Sequence, residues 1–321
     1  MWVLRRVDAR AVLGHVRDAD PLWLAATIVI ATLTFPIRTI RWRLILRDAD
    51  GGRLPWTPLW HATAVGFMAN NLMPARIGEV ARAYVATRQL PVRFATALAS
   101  VGVERVFDGL VLLGLMAAAI AAPSFPARAQ LGGISLSRLA AGTAAGFAAA
   151  LVMALLVAHR PAPWLRALRT AAQRMLPARA ADRVSHAAQG LVEGLAVLKS
   201  PARFGGVVAW SLVLWLVNAV SFAAGFRAFA LALPVEGALL LQGVIAFGVA
   251  VPSSPGAVGV FEAATVLALG AYAVDPDRAV AYALTYHLTT FVPIVLFGLY
   301  SQTRVHVRLR DLREARATPE T

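Results

Sequence analysis

Eight apolar stretches dominate this chain of 321 residues, at positions 22–40, 57–74, 98–122, 139–159, 205–226, 236–252, 256–273 and 279–303. A helix rises 1.5 Å per residue, so about 20 apolar residues span a hydrocarbon core of about 30 Å. In such a core each segment must satisfy its own backbone N–H and C=O groups, which makes these stretches helices. Composition closes the other options. The chain is 59% AVILMFWYC and only 15% charged, against about 25% charged in a soluble domain, so too little polar surface remains to cover a soluble globule. Abundant apolar sequence without a collagen or heptad repeat excludes disorder, collagen and coiled coil. The absence of cysteine excludes disulfides, thiolate metal sites and cysteine nucleophiles. The expected fold is all-α: a polytopic membrane bundle of about eight transmembrane or re-entrant helices.

Residues 1–21 alternate charged and apolar side chains and hold no apolar core of a cleavable signal. Val3, Val7, Val12 and Val16 recur at helical spacing, so an interfacial helix is expected there. Residues 22–303 then form a single transmembrane domain: a first half at 22–159, a basic cytoplasmic connector at 160–204 and a second half at 205–303, followed by a basic tail at 304–321. The stretches 57–74, 236–252 and 256–273 are short and are interrupted at Pro74 and at Pro252-Ser-Ser-Pro255-Gly256, so each either crosses fully or turns back as a re-entrant segment.

Charge orients the bundle. Thirty-one Lys+Arg stand against 17 Asp+Glu, a net +14, and the bases sit between apolar runs with no aromatic-basic platform for nucleic acid. They read as anchors at an anionic bilayer surface. With eight crossings and a cytoplasmic N-terminus, 21 bases fall inside and 9 outside, which favours both termini in the cytoplasm. Arg38, Arg41, Arg43, Arg47 and Arg53 then fall outside, against the trend. A re-entrant unit at 57–90 entering from the cytoplasm would bring them inside and move the N-terminus out.

Ionisable groups inside apolar stretches are the informative positions, because each costs roughly 2.5–3.5 kcal/mol at the bilayer centre. Glu104-Arg105-Val-Phe-Asp108 opens the third stretch. Glu104 and Asp108 share a helical face, and Arg105 can pair with Asp108 three residues on. This is either an internal ion pair that helps the helix pack or the charged wall of a hydrated cavity. A second constellation is Asn70-Asn71-Leu-Met-Pro74-Ala-Arg76-Ile-Gly78-Glu79-Val-Ala-Arg82. Its asparagines need partners, Pro74 breaks the helix and Gly78 permits close backbone approach. It reads equally as a basic interfacial cap or as a binding site. A third is Pro252-Ser-Ser-Pro255-Gly-Ala-Val-Gly259-Val-Phe-Glu262, where backbone N–H groups can cradle an anion, or where a tight turn carries a hydrogen-bonded Glu262.

The last two constellations echo each other. Pro74 and Gly78 lie 181 residues before Pro255 and Gly259. Interrupted helices at corresponding places in two halves point to a substrate site near the midplane between repeats, parallel or inverted.

These three motifs, with Arg41-Trp42-Arg43, resemble the lysylphosphatidylglycerol synthase transmembrane region, a flippase-like family, in order and over nearly the whole chain. The resemblance implies an integral inner-membrane protein with cavities for lipid head groups, whose best-understood relatives move an aminoacylated phospholipid between leaflets. Synthase members add a soluble aminoacyl-transferase domain. Here the sequence ends about 18 residues after the last apolar stretch, so lysyl transfer is not expected. Where relatives often show an arginine, this chain has Tyr286-His287-Leu288. His287 serves either as packing or as a ligand or relay.

The expected activity is movement of a phospholipid or lipid-linked head group between leaflets. Arg76, Arg82 and Arg105 would meet phosphate, with Glu79, Glu104, Asp108 and Glu262 balancing them or meeting a cationic head. Asn70, Asn71, Pro255, Gly259 and His287 complete the expected substrate site. No cofactor, metal or nucleic acid is expected; a homo-oligomer or a partner lipid-synthesis enzyme is compatible with the sequence. Two alternatives stand beside this reading: a lipid-modifying transferase using Glu104 and Asp108 as an acid/base pair, and an accessory subunit that docks a partner through 160–204.

Overall fold

A computed structural model describes residues 8–48, 51–73, 77–125, 130–131, 134–135, 159–194, 200–250 and 254–305, with scattered positions between 138 and 157. Most of the fourth apolar stretch lies outside the described residues, as do Pro74, Arg76, Pro252, Ser253 and the tail beyond Val305. The described helices are α1 Ala9–Arg17, α2 Pro21–Ile45, α3 Trp56–Leu72, α4 Ile77–Gln89, α5 Phe94–Ala121, α6 Pro161–Met175, α7 Ala178–Gly194, α8 Pro201–Ala228, α9 Val235–Ala250, α10 Val260–Gly270 and α11 Pro276–Val305. A two-residue antiparallel pair, Gln130–Leu131 with Ile134–Ser135, is the only sheet among the described residues. The protein is thus the expected all-α membrane bundle. α2, α8 and α11 are both long and apolar enough to cross a bilayer. α5 matches them in length, with 28 residues, but carries Glu104, Arg105 and Asp108.

Local chemistry sets the helix starts. Asp20 accepts the N–H groups of Leu22 and Trp23, and Pro21 sits where its missing N–H costs nothing. Ser200 and Pro201 repeat that arrangement at the start of α8. α2 and α8 lie antiparallel. The Asp20 N–H donates to the Ala228 carbonyl at 2.9 Å. At the other end the Arg203 guanidinium donates to the Leu44 carbonyl at 3.2 Å.

The short helices form two hairpins. A Cβ placed on Gly78 would lie 1.9 Å from the Gly66 carbonyl oxygen, and one on Gly66 would lie 2.7 Å from the Arg82 Cβ. α4 therefore folds back along α3. Leu54, Leu59, Ala86 and Leu90 share one core with Leu46, so this hairpin enters and leaves at the α2 C-terminal end. We term that end the connector face, because the connector leads into α8 there. The second hairpin, α9–α10, is antiparallel by the same test: Gly237 faces Tyr272, and Gly248 faces Val260 and Ala264. Its open end lies at the opposite, N-terminal face, beside Ala228 and α1. The two tips meet inside the bundle. A Cβ on Gly256, which has φ 62°, would sit 3.2 Å from the Asn71 carbonyl oxygen and 2.9 Å from the Phe291 ring.

The halves are therefore inverted repeats, and the open choice between parallel and inverted is decided. α2, α3–α4 and α5 correspond in order to α8, α9–α10 and α11, with Pro21 and Pro201 180 residues apart. Corresponding elements run in opposite directions, and each half inserts its hairpin from its own face. This geometry takes the re-entrant alternative of the sequence reading for the short stretches. The Asp8 N–H donates to Asp277 at 3.1 Å at the start of α11. Val305, at its end, packs against the core that holds Leu46 and Leu90. The two ends of the described chain thus lie at opposite faces.

Candidate functional site

α2 is the element that the sequence reading cut too short. It continues past residue 40 to Ile45, through Pro36, and so carries Arg38 and Arg41 into the bundle rather than into a loop. Arg41 is completely buried. Its Nε and Nη2 donate to Glu104 Oε1 at 3.3 and 2.8 Å, and its Nη1 donates to Asp108 Oδ1 and, at 3.1 Å, to Ser211 Oγ. The one-turn spacing of Glu104 and Asp108 on α5 presents both carboxylates to this single guanidinium. A planar fork with fixed donors suits that geometry and an ammonium does not.

Two more arginines complete the cluster. Arg82, on α4, donates to Glu104 Oε2 at 2.5 Å and stacks its guanidinium 3.8 Å from the Trp42 ring. The Trp42 indole N–H is held by Ser100 Oγ at 2.8 Å, which fixes the ring as a platform. Arg105 lies 3.5 Å from Glu79 Oε1 and 3.4 Å from Asp108 Oδ2, both looser than the buried contacts. Trp215 closes the cluster from α8, its indole N–H donating to Asp108 Oδ1 at 3.0 Å. Ser211 and Trp215 belong to the second half, so the cluster lies across the seam between the repeats. Desolvating so many charges is costly, and the guanidinium–carboxylate contacts offset the cost only because the geometry engages nearly every carboxylate oxygen. Arg105 and Glu79 are the accessible members, with side chains 32% and 27% exposed, whereas Glu104 is fully buried.

The second half holds a separate pair. Glu262 Oε1 meets His287 Nδ1 at 2.6 Å, while its Oε2 accepts the Gly259 N–H at 2.5 Å. Gly259, with φ 89°, caps α10, and Pro255 begins a single 3-10 turn before it. The His287 ring packs 4.4 Å from Phe261 and 6.3 Å from Phe291. Among the described residues no three His, Asp or Glu side chains converge as a metal site.

The expected site residues therefore divide. Glu79, Arg82, Glu104, Arg105 and Asp108 come together, joined by Arg41, Ser211, Trp42 and Trp215, which sequence reasoning did not place there. Glu262 lies apart from those arginines, bonded to His287 and to its own helix cap. Asn70 closes the first hairpin, its Oδ1 accepting the Gly78 N–H at 2.8 Å. Asn71 meets the second hairpin's tip with its carbonyl and leaves a buried Nδ2 without a partner among the described residues. Arg76 lies outside the described residues. The missed signal was present: Arg38, Arg41 and Trp42 continue α2 at helical spacing, but hydropathy alone ends the segment at the first arginines.

Comparison with known proteins bears on this architecture. The family described as the lysylphosphatidylglycerol synthase TM region matches residues 1–298. A curated relative, "Glycosyltransferase AglD" of Haloferax volcanii, is 31% identical over 336 aligned residues, covering 97% of this chain and 53% of that protein. The chain thus spans about half the length of this relative. No solved structure matches.

Proposed function

This chain belongs to the lysylphosphatidylglycerol synthase transmembrane-region family, and from that membership we propose that it moves the polar head of a phospholipid or lipid-linked substrate between the leaflets of a bacterial plasma membrane. The observation that carries the reading is the position of the charged cluster. It lies on the seam between inverted repeats, beside hairpins that enter from opposite faces and meet at their tips. An accessible rim of Arg105 and Glu79 over a buried floor offers a head group hydrogen bonds at membrane depth, while its tails remain in lipid. The Glu104–Asp108 pair serves this better than acid/base chemistry, since Arg41 and Arg82 hold both Glu104 oxygens, and Arg41 and Trp215 hold Asp108 Oδ1.

Orientation follows from the arginines. Arg43, Arg47, Arg53 and Arg203 gather at the connector face, where Arg47 is held below the ordinary guanidinium range by partial burial and by the other three. The connector adds Arg166, Arg169 and Arg174. We place that face in the cytoplasm and the start of the chain outside.

The test is translocation in liposomes, using a head-labelled phosphatidylglycerol and an impermeant reductant. Wild-type protein is expected to expose more than the outer-leaflet half of the label, and Glu79→Ala and Asp108→Ala proteins are expected to lose most of that increment. Unchanged transport by both variants would remove the cluster from the pathway. The relative's name favours a second reading, in which the chain presents a lipid-linked sugar to a glycosyl-transfer enzyme. Glycosyl-lipid formation that needs this chain but proceeds without any change of leaflet would select it.

A further inference from the structure

The charges of the cluster do not cancel. Among the described residues, Arg38, Arg41, Arg82 and Arg105 face Glu79, Glu104 and Asp108, an excess of one positive charge. The partners identify which charge is left over. Arg41 holds Glu104 Oε1 and Asp108 Oδ1, Arg82 holds Glu104 Oε2, and Arg105 bridges Glu79 and Asp108 Oδ2. Arg38 makes no ion pair among the described residues. It is partly exposed, and its guanidinium carbon lies 4.8 Å from the Phe67 ring of α3 and 5.6 Å from the Trp215 ring of α8. The two rings hold the guanidinium at the seam by their faces, which leaves its edge N–H groups for a ligand.

An arginine at this depth without an anion is costly, and an arginine pre-oriented by flanking aromatic rings has lost little freedom when a ligand arrives. We propose that Arg38 is the phosphate-contacting residue of the site, and that the site takes a lipid phosphate bearing one net negative charge in preference to a zwitterionic or cationic head. Arg105 is the second contact, since its charge is shared loosely between two carboxylates and its side chain is open. The inference rests on the head-group site proposed above but not on transport. A single oxyanion neutralises the cluster and meets both guanidinium groups, whereas a zwitterion's own ammonium brings the excess charge back.

Equilibrium binding to the purified full chain tests this with three probes: dihexanoyl phosphatidylglycerol, dihexanoyl phosphatidylcholine and inorganic phosphate. Wild-type protein is expected to bind the phosphatidylglycerol at least about 10-fold more tightly than the phosphatidylcholine, and Arg38→Gln to lose about 10-fold or more of that affinity and most of the preference over phosphatidylcholine, as loss of one charge-assisted hydrogen bond dictates. Arg38→Lys, which keeps the charge and loses the planar fork, should fall between them. Thermal melting of each variant in the same detergent shows that the fold is retained. Equal affinity of wild type for the two lipids, or equal phosphatidylglycerol affinity of wild type and a folded Arg38→Gln, would overturn the assignment. Inorganic phosphate binding as tightly as phosphatidylglycerol would overturn the lipid source. Selective binding in a protein that fails to translocate would refute the transport reading and leave this one standing.

Discussion

Arg41 and Glu262 show how differently two charged side chains within apolar stretches can be held. Arg41 is completely buried and serves two carboxylates at once, so Arg41→Gln leaves Glu104 and Asp108 buried without their main counter-charge. Breaking a buried pair from one side costs about 3–5 kcal/mol. The variant is expected to lose most of its melting transition in detergent, with Arg41→Lys recovering only part of it because one ammonium cannot reproduce the fork. Glu262 is partly exposed and acts through a helix cap. Glu262→Gln should cost only about 1 kcal/mol, a small displacement in the same melting experiment. An equal loss in the two proteins would contradict the view that α5, and not the second hairpin, carries the structural charge. The sequence made Glu104, Asp108 and Glu262 conspicuous in the same way, because hydropathy registers a charge in an apolar run regardless of its partner. Only the packing separates a buried hub from a capping group.

At the scale of the element, the first hairpin depends on glycine at its crossing. Gly66 and Gly78 let the α3 and α4 backbones approach until the Gly66 carbonyl occupies the space a Gly78 side chain would need. Gly78→Ala should force the helices apart and destabilise the fold by about 1–3 kcal/mol. Gly109→Ala on α5 has open space around its Cβ and should be neutral or stabilising by about 0.5–1 kcal/mol, from helix propensity. Melting temperatures of the two variants, side by side, decide this; equal shifts would mean the close approach is not required. The breaks between α3 and α4 and between α9 and α10 were legible in the sequence, and so was their repetition. Whether each interrupted pair crosses or returns was not, because a short apolar helix has the same composition in either case.

For the whole molecule, the inverted arrangement places the ends of the described chain at opposite faces of the bundle, and the prediction is that these faces lie on opposite sides of the bilayer. The chain has no cysteine, so single introduced thiols report sidedness without background. In cells, Arg10→Cys and Ala232→Cys are expected to react with an impermeant maleimide added outside, and Arg53→Cys and Arg166→Cys only after the membrane is permeabilised. Reaction of all four from one side would refute the two-hairpin topology. Exchange of the two pairs would keep the topology and reverse the orientation proposed from the arginines.

The sequence by itself determined the class of solvent, the helical fold, the two halves with their broken segments, and five members of the charged cluster. These follow from hydropathy, helix-breaking residues and charge, which are properties of short windows of chain. Tertiary structure alone decided that the halves are inverted, that Arg38 and Arg41 lie within the bundle, that Ser211 and Trp215 join the cluster from the other repeat, and that Glu262 belongs to His287. Those outcomes depend on which helix lies against which and on the direction each runs. A guanidinium at the end of an apolar stretch reads as a loop residue until a pair of carboxylates 63 and 67 residues away is brought to it.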